Sequence, residues 1–310
     1  MNESSNMAYL RELDSVSPLV LPQFGKSPLY FEAGGGIFQS PDFNVIYNKE
    51  NSRPVGTFKN GFKLHDPRSG VDAVESMLGS GDIDLSGISR EMETSHNQAQ
   101  LKITWTIPSV AIEIGLNDIC AMQIVHKNSW NGAWSWSVSY RALRLACLNG
   151  MMIPSQVWQY KRKNTKSLDP SDAKKRLGDM VARFKEIEPA WKKWRETRIN
   201  KEWASSIIAK TAETKSPQFG MQSLAEFHES RAVKANASYN YIWNRYSNHE
   251  SREAGLGETL WGLFNSMTYW ATHAPASREA DEGNILSIRD RRHAKVSTIV
   301  SGADWWRAAA

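Results

Sequence analysis

Residues 118–153 read DICAMQIVHKNSWNGAWSWSVSYRALRLACLNGMMI. Two apolar runs, Asp118–His126 and Ala133–Ala146, flank a polar break at Lys127–Gly132 that ends in Asn131-Gly132. Asn-Gly between apolar runs signals a β-hairpin, because both residues accept the positive φ of a tight primed turn. On the returning strand Trp134, Trp136, Val138 and Tyr140 fall on one face and Ser135, Ser137 and Ser139 on the other, the period of two expected of a strand. Arg141 and Arg144 follow, and Asn149-Gly150 closes the run. Such a ribbon serves either as core or as a surface on which bases stack, and the pattern alone leaves both open.

Upstream the texture is also that of strands. Leu101, Ile103, Trp105 and Ile107 alternate with Lys102, Thr104 and Thr106, which predicts a half-buried strand. At Pro108 the apolar phase flips to Val110, Ile112 and Ile114, as a bulge or a two-residue turn would require. Phe43–Tyr47, Pro54–Phe58 and Phe62–His65 read as three short strands, the last two separated by an Asn60-Gly61 turn. Val71–Leu78 has helical spacing and stops at Gly79. Residues 79–99, rich in Gly, Asp and Ser, read as a long loop or bulged edge. Gly34-Gly35-Gly36 lacks the Lys-Ser/Thr and the helix of a P-loop and reads as a flexible turn.

After Ile153 the spacing becomes helical. Ala173, Leu177, Met180, Val181, Phe184 and Ile187 repeat at three and four after a capping Ser171, and Pro189 restarts the helix. Further stripes run through Trp191–Ile208, Leu224–Tyr246 and Leu260–Ala271, and a basic knot (Arg289, Arg291, Arg292, His293, Lys295) precedes Trp305-Trp306. The predicted fold class is α+β: an antiparallel meander with one short helix, then a mostly helical half. The predicted organisation is a flexible N-terminal arm (1–40), an antiparallel sheet core with the hairpin (41–153), and a basic helical region with a C-terminal tail (154–310).

The 310 residues are 41% hydrophobic and 23% charged, an ordinary globular composition, but thirteen are tryptophan. No apolar run approaches the ~20 residues of a membrane span, and the start, MNESSNMAYLRELDS, lacks the features of a secretory signal. Cys120 and Cys147 are the two cysteines, read as reduced and buried, so a cytoplasmic location is expected. Net charge is only +5, but residues 155–215 hold 16 basic against 8 acidic side chains, whereas residues 1–100 hold 8 against 13. That asymmetry points to a surface facing a polyanion.

Catalytic patterns are missing. No two histidines frame a glutamate at helical spacing, there is no Cys-x-x-Cys, and no Gly-x-Ser-x-Gly occurs. His273, near a helix C-terminus, reads as a capping cation favoured by the helix dipole. Asp82 and Asp84 are a close acidic pair that a magnesium-dependent nuclease could use, and they read as an exposed loop. The sequence therefore predicts a non-enzymatic protein with no cofactor. Single-strand binders combine a basic groove with aromatic platforms worth roughly 1–3 kcal/mol per stacked base. The candidate residues are Lys127, Trp130, Arg141 and Arg144 on the hairpin, then Lys161, Arg162, Lys163, Lys166, Lys174, Lys175 and Arg176. Trp130, in the turn, is the aromatic expected to be exposed.

Three stretches resemble the phage/plasmid-like proteins grouped as a domain of unknown function. They are RPVGTFKNGFKLHDPRSGVDAVESML (Arg53–Leu78), IVHKNSWNGAWSWSVSYRALRLACLNGM (Ile124–Met151) and ETLWGLFNSMTYWATH (Glu258–His273). The Arg-x-x-Cys-x-Asn-Gly close of that family is matched by Arg144, Cys147, Asn149 and Gly150. The resemblance implies a mobile-element setting. The layout is in turn similar to phage annealing proteins of the Redβ and Erf kind, in which a strand–strand–strand–helix core lines a basic groove and subunits form rings or filaments. The expected function is thus binding of single-stranded DNA, with annealing or recombination for a phage or plasmid, by a homo-oligomer. The alternatives are a protein–protein interaction factor and a magnesium-dependent nuclease.

Overall fold

The computed structural model describes residues 3–145, 149–151, 159–162, 173–214, 223–253, 255–276 and 283–310. It is α+β, with antiparallel sheets in the first half and helices in the second. Helix α1 (Glu3–Val16) leads to β1 (Phe24–Ala33), β2 (Gly36–Asn48) and β3 (Pro54–Lys59), which form a three-stranded sheet in that order. Helix α2 (Pro67–Ser80) follows, then β4 (Ser89–Ser95), β5 (Gln100–Gly115), β6 (Asp118–Ser129), β7 (Trp136–Arg144), β8 (Asn149–Met151) and β9 (Gln159–Arg162). Strands β4 to β8 neighbour one another in sequence order, and β9 also pairs with β7, giving a six-stranded sheet.

The expected hairpin is β6–β7. Its register runs from Cys120 opposite Arg144 to Lys127 opposite Ser137. The phase flip at Pro108 is a bulge: β5 continues through it while its register against β6 shifts between Ile107 and Ala111. Val110, Ile112 and Ile114 thereby stay buried. The segment expected as a loop or bulged edge contains the edge strand β4, and within it Asp84 accepts from the Ser86 amide at 2.8 Å, an Asx turn. Phe62–His65 is not a strand. Asn60-Gly61 makes the expected turn, closed by Phe62 N donating to Lys59 O at 2.9 Å.

Where a flexible arm is expected over residues 1–40, the described residues 3–40 form α1, β1 and the start of β2. Leu10 and Leu13 of α1 are buried, and Asn6 donates to the Gly81 and Ile83 carbonyls at 3.2 and 2.8 Å. Arg90 of β4 binds Asp14 at 2.7 Å and also pairs with Glu75 of α2, tying three elements together. Strands β1 and β2 form a hairpin whose turn uses Gly34 and Gly35 at φ +58° and +79°, a conformation glycine adopts without steric cost. Tyr30, Phe31, Ile37 and Phe38 near this turn are all exposed.

The helical half contains α3 (Ala173–Glu186), α4 (Glu188–Glu196), α5 (Lys201–Thr211), α6 (Leu224–Glu229), α7 (Arg231–Lys234) and α8 (Ala237–Asn244). A π-helical segment (Arg245–Glu253), α9 (Leu260–His273), α10 (Ile285–Val300) and α11 (Ala303–Ala309) complete it. Pro189 sits in the first turn of α4, where its missing N–H is harmless. The long stripe from Leu224 is not one helix, because Ser223 and Asn236 each cap a new start. Helix α9 is buried on nearly every side. Its Trp261 lies 5.1 Å from Trp191, and Phe264 packs against Trp194 at 5.4 Å; Trp194 in turn meets Trp305 edge-on at 5.3 Å. Much of the tryptophan excess is therefore core, each ring burying 150–250 Å² at the usual scale of aromatic side chains.

Register gives the six-stranded sheet two unlike faces. Ile103, Trp105 and Ile107 pair with His126, Ile124 and Met122, which pair with Val138, Tyr140 and Ala142. This buried apolar face lies toward α2 and α3. On the opposite face Lys102, Thr104 and Thr106 pair with Lys127, Val125 and Gln123, and these with Ser137, Ser139 and Arg141. The half-buried strand expected at β5 is in fact covered on both sides: Lys102, Thr104 and Thr106 are all buried.

Candidate functional site

A strand buried on both faces with polar residues on one of them must find partners for them there. Helix α10 supplies several. Ser287 donates to Gln100 Oε1 at 3.1 Å, Arg289 to Glu93 Oε1 at 2.6 Å, and Asp290 accepts from Lys127 Nζ at 2.6 Å. Within the sheet Gln123 donates to Thr106 Oγ1 at 2.8 Å, and Lys102 pairs with Glu93 across the β4–β5 ladder.

The fit between helix and sheet is incomplete and leaves a cavity of about 230 Å³. Glu91, Glu93, Lys102, Gln123 and Arg141 form its floor, and His273 with Arg289, Asp290 and His293 its roof. Burial dominates the titration of these groups. Desolvation pulls the Lys102 amine down to about 8, helped by the neighbouring Arg141 charge. His293 is held well below the usual histidine range, first by desolvation and then by Arg141, Lys102 and Lys127. Glu93 is held low although desolvation, the largest influence, opposes it, because Lys102, Arg289 and Arg141 outweigh that cost together. A concave site with several perturbed titratable groups is the usual mark of a functional site.

The hairpin candidates divide. Lys127 and Arg141 lie on this polar face, and Arg141 lines the cavity. Trp130 is not the exposed aromatic that its place in the turn suggested. It is 1% exposed, stacks on Phe24 at 4.6 Å, and donates from Nε1 to the His65 carbonyl at 3.0 Å. Trp134, expected to share a face with Trp136, lies before β7 and half-exposed, with Lys127 Nζ 5.5 Å from its ring centroid. Arg144 is also not a surface cation. It is buried between Asp118, at 2.5 Å, and Glu250, at 3.2 Å.

Of the downstream basic residues, Lys161 and Arg162 lie on β9, opposite Ser137 and Trp136. Lys174, Lys175 and Arg176 occupy the start of α3. Lys163 and Lys166, like Ser171 and Cys147, lie outside the described residues. Cys120 is buried. His273 closes the last turn of α9, its Nδ1 bonding the Tyr269 carbonyl at 3.3 Å and its ring stacking on Tyr269 at 4.2 Å, while desolvation lowers its pKa. Among the described residues no group of three or more His, Cys, Asp or Glu side chains is arranged to hold a metal ion, and none of the described helices is long and apolar enough to cross a membrane.

The residues that resemblance singled out converge as scaffold. Arg144 stands opposite Asn149, and Leu143 opposite Gly150, so the Arg-to-Asn-Gly close is the β7–β8 return. Asp118 accepts from Trp261 Nε1 at 2.8 Å, linking the hairpin to α9. Residues 54–292 match the family described as a domain of unknown function, DUF932. The chain belongs to the DUF932 family. The match opens at β3 and closes within α10, so the DUF932 region contains the whole six-stranded sheet and all of the cavity lining except His293, one residue beyond it. The β1–β2 hairpin lies outside it. No curated protein and no solved structure matches the chain.

The cavity residues Lys102, Glu93, Arg289 and His293 were not singled out as a site by sequence. Lys102 and Thr104 carried the strand alternation, but that pattern describes solvent as well as a covered polar face. That α10 would cover it has no local signal.

Proposed function

We propose that the protein binds single-stranded nucleic acid and promotes strand annealing for a phage or plasmid, acting without catalysis and as a homo-oligomer. One observation carries the reading. Register aligns Lys102, Lys127, Ser137 and Lys161 in a single row across the sheet; α10 covers its Lys102 end, and the part-exposed Lys127 leads from there toward Lys161 on β9, with a basic α3 following in sequence. Lys127 and Lys161 lie two strands apart, about 10 Å, within reach of neighbouring phosphates on one backbone. Each phosphate neutralised would release counterions, so affinity would fall steeply with salt. Trp134, half-exposed beside Lys127, is the aromatic placed to stack a base. The test is fluorescence anisotropy of a labelled single strand and its duplex across a salt series. Salt-sensitive preference for the single strand supports the reading; no binding at low salt ends it. The triple change Lys161→Ala, Arg162→Ala and Lys163→Ala is expected to weaken binding and flatten the salt slope.

A protein-interaction role is the second reading. It is favoured by the β1–β2 hairpin, where Ile37 is 77% exposed beside Tyr30, Phe31 and Phe38. Exposed apolar clusters of that kind mark contact surfaces. A complex that survives high salt and is lost on changing Ile37 and Phe38 to Ser would favour it over strand binding.

A further inference from the structure

We propose that the cavity between the polar sheet face and α10 is a binding site for a small oxyanion, a phosphate or carboxylate group carrying a hydroxyl, with Arg141 as its principal anchor. The site is independent of the strand-binding reading, because a free small anion would occupy it equally.

Charge comes first. Glu93 serves two cations, Lys102 and Arg289, and Asp290 serves Lys127. Arg141 is left over. Among the described residues its guanidinium makes no ion pair, and its one hydrogen bond runs from Nε to Gln123 Oε1 at 2.6 Å. That bond fixes the plane of the group and leaves its Nη donors uncommitted among the described residues. Four cations thus share two paired carboxylates, with Glu91 exposed at the rim. A half-buried guanidinium lining a cavity without a paired carboxylate is an unmatched cation there, and an oxyanion meeting its two-pronged donor edge supplies the match.

His293 supplies the second requirement. It is 6% exposed, lines the cavity, and its Nδ1 has no partner among the described residues. Thr272 Oγ1 gives its hydrogen to the Thr268 carbonyl at 2.9 Å, so at 3.3 Å from His293 Nε2 it acts as acceptor. Nε2 therefore carries the imidazole proton and Nδ1 presents a lone pair, which calls for an O–H donor. At about 230 Å³ the space lies below the range of drug-sized pockets. It suits a single charged group with a few attached atoms.

Titration calorimetry of the full-length protein with inorganic phosphate, lactate and acetate tests this. Saturable one-site binding of phosphate or lactate, with acetate weaker for want of a hydroxyl, is expected. Arg141→Gln should lose at least tenfold in affinity, and Arg141→Lys, which keeps charge without the fork, should fall between. Arg307→Gln, at an exposed distant site, should leave it unchanged. An unaltered melting profile for either Arg141 variant separates lost binding from lost folding. Comparing 5′-phosphorylated with 5′-hydroxyl oligonucleotides distinguishes the sources: preference for the 5′-phosphorylated form assigns a strand terminus, equal binding of the two beside saturable phosphate binding assigns a free anion, and preference for the 5′-hydroxyl form counts against the site. Absence of binding by both phosphate and lactate overturns the proposal, as does undiminished binding by a folded Arg141→Gln protein. Either failure leaves salt-dependent strand binding to be judged on its own.

Discussion

Arg144 donates from Nε to Asp118 Oδ1 at 2.5 Å and from Nη2 to Asp118 Oδ2 at 3.1 Å, a two-pronged pair in which both side chains are at most 6% exposed. Asp118 also receives Trp261 Nε1, and Arg144 also reaches Glu250, which Arg245 holds at 2.9 Å. The network joins β6, β7, the π-helical segment and α9. Removing one partner of a buried pair strands the other's charge, at a cost of about 3–5 kcal/mol. Arg144→Ala should therefore shift the urea midpoint sharply downward. Strand affinity of the protein that remains folded should not change, since no face of Arg144 reaches solvent. A selective loss of affinity at full stability would return Arg144 to the binding surface.

Gly70 of α2 faces the hairpin so closely that a Cβ there would stand 2.5 Å from His126 Nε2 and 3.0 Å from Trp136 Nε1. Alanine gains about 1 kcal/mol of helix propensity over glycine, whereas overpacking costs about 1–3 kcal/mol. Both contacts are rings locked in a buried face, so the clash should win. Gly70→Ala is expected to lower the melting temperature by a few degrees, and a rise would mean that α2 can draw back from the sheet.

The pH dependence follows from His126. Its Nδ1 donates to the Ser137 carbonyl at 3.1 Å, and burial lowers its pKa to about 4. The unfolded chain, with an ordinary histidine pKa near 6.5, binds the extra proton between those values. Stability is then fully present above about pH 6.5 and is lost as pH falls toward 4, by up to about 3 kcal/mol. His293, lowered in the same direction, adds to the slope. Urea midpoints measured at pH 7, 5.5 and 4.5 should fall in that order, and His126→Gln should flatten the decline.

Lys102 gives a second window. Its amine titrates at about 8 in the folded protein, where Glu93 favours the charge while desolvation, Arg141 and Lys127 oppose it. Below that pH the cavity keeps the Lys102 charge. Above it the charge is lost, so anion affinity should drop several-fold between pH 7 and 9 in calorimetry. Lys102→Met should remove that drop while lowering affinity throughout; a pH profile identical to the parent protein would exclude Lys102 from the site.

The elements legible in the sequence were those written locally. Period-two alternation and Asn131-Gly132 placed the hairpin, the phase flip at Pro108 gave the bulge, and the stripe from Leu260 to Ala271 gave α9. What could not be read depends on contacts between distant segments. Trp130 looks exposed in a polar turn until Phe24, over a hundred residues earlier, stacks on it. Lys102 and Thr104 look solvated until α10 arrives. Arg144 looks like a surface cation until Asp118 and Glu250 close around it. Helix α1 has a weak apolar stripe, and it is held by distant partners: Asn6 bonds the loop after α2, Leu10 and Leu13 are buried, and Asp14 pairs with Arg90.

The cavity's floor comes from residues 91–141 and its roof from residues 273–293. On a ribosome, the lysine row emerges and pairs into sheet well before Arg289 and Asp290 leave the exit tunnel. Domains form from the N-terminus as synthesis proceeds at about 5–20 residues per second, so for several seconds the nascent chain carries an uncovered cationic face with no carboxylates from α10 to answer it. Closure of α10 is thus both the last folding step of the site and the moment at which the chain stops offering that face to the polyanions, ribosomal RNA among them, that surround it during synthesis.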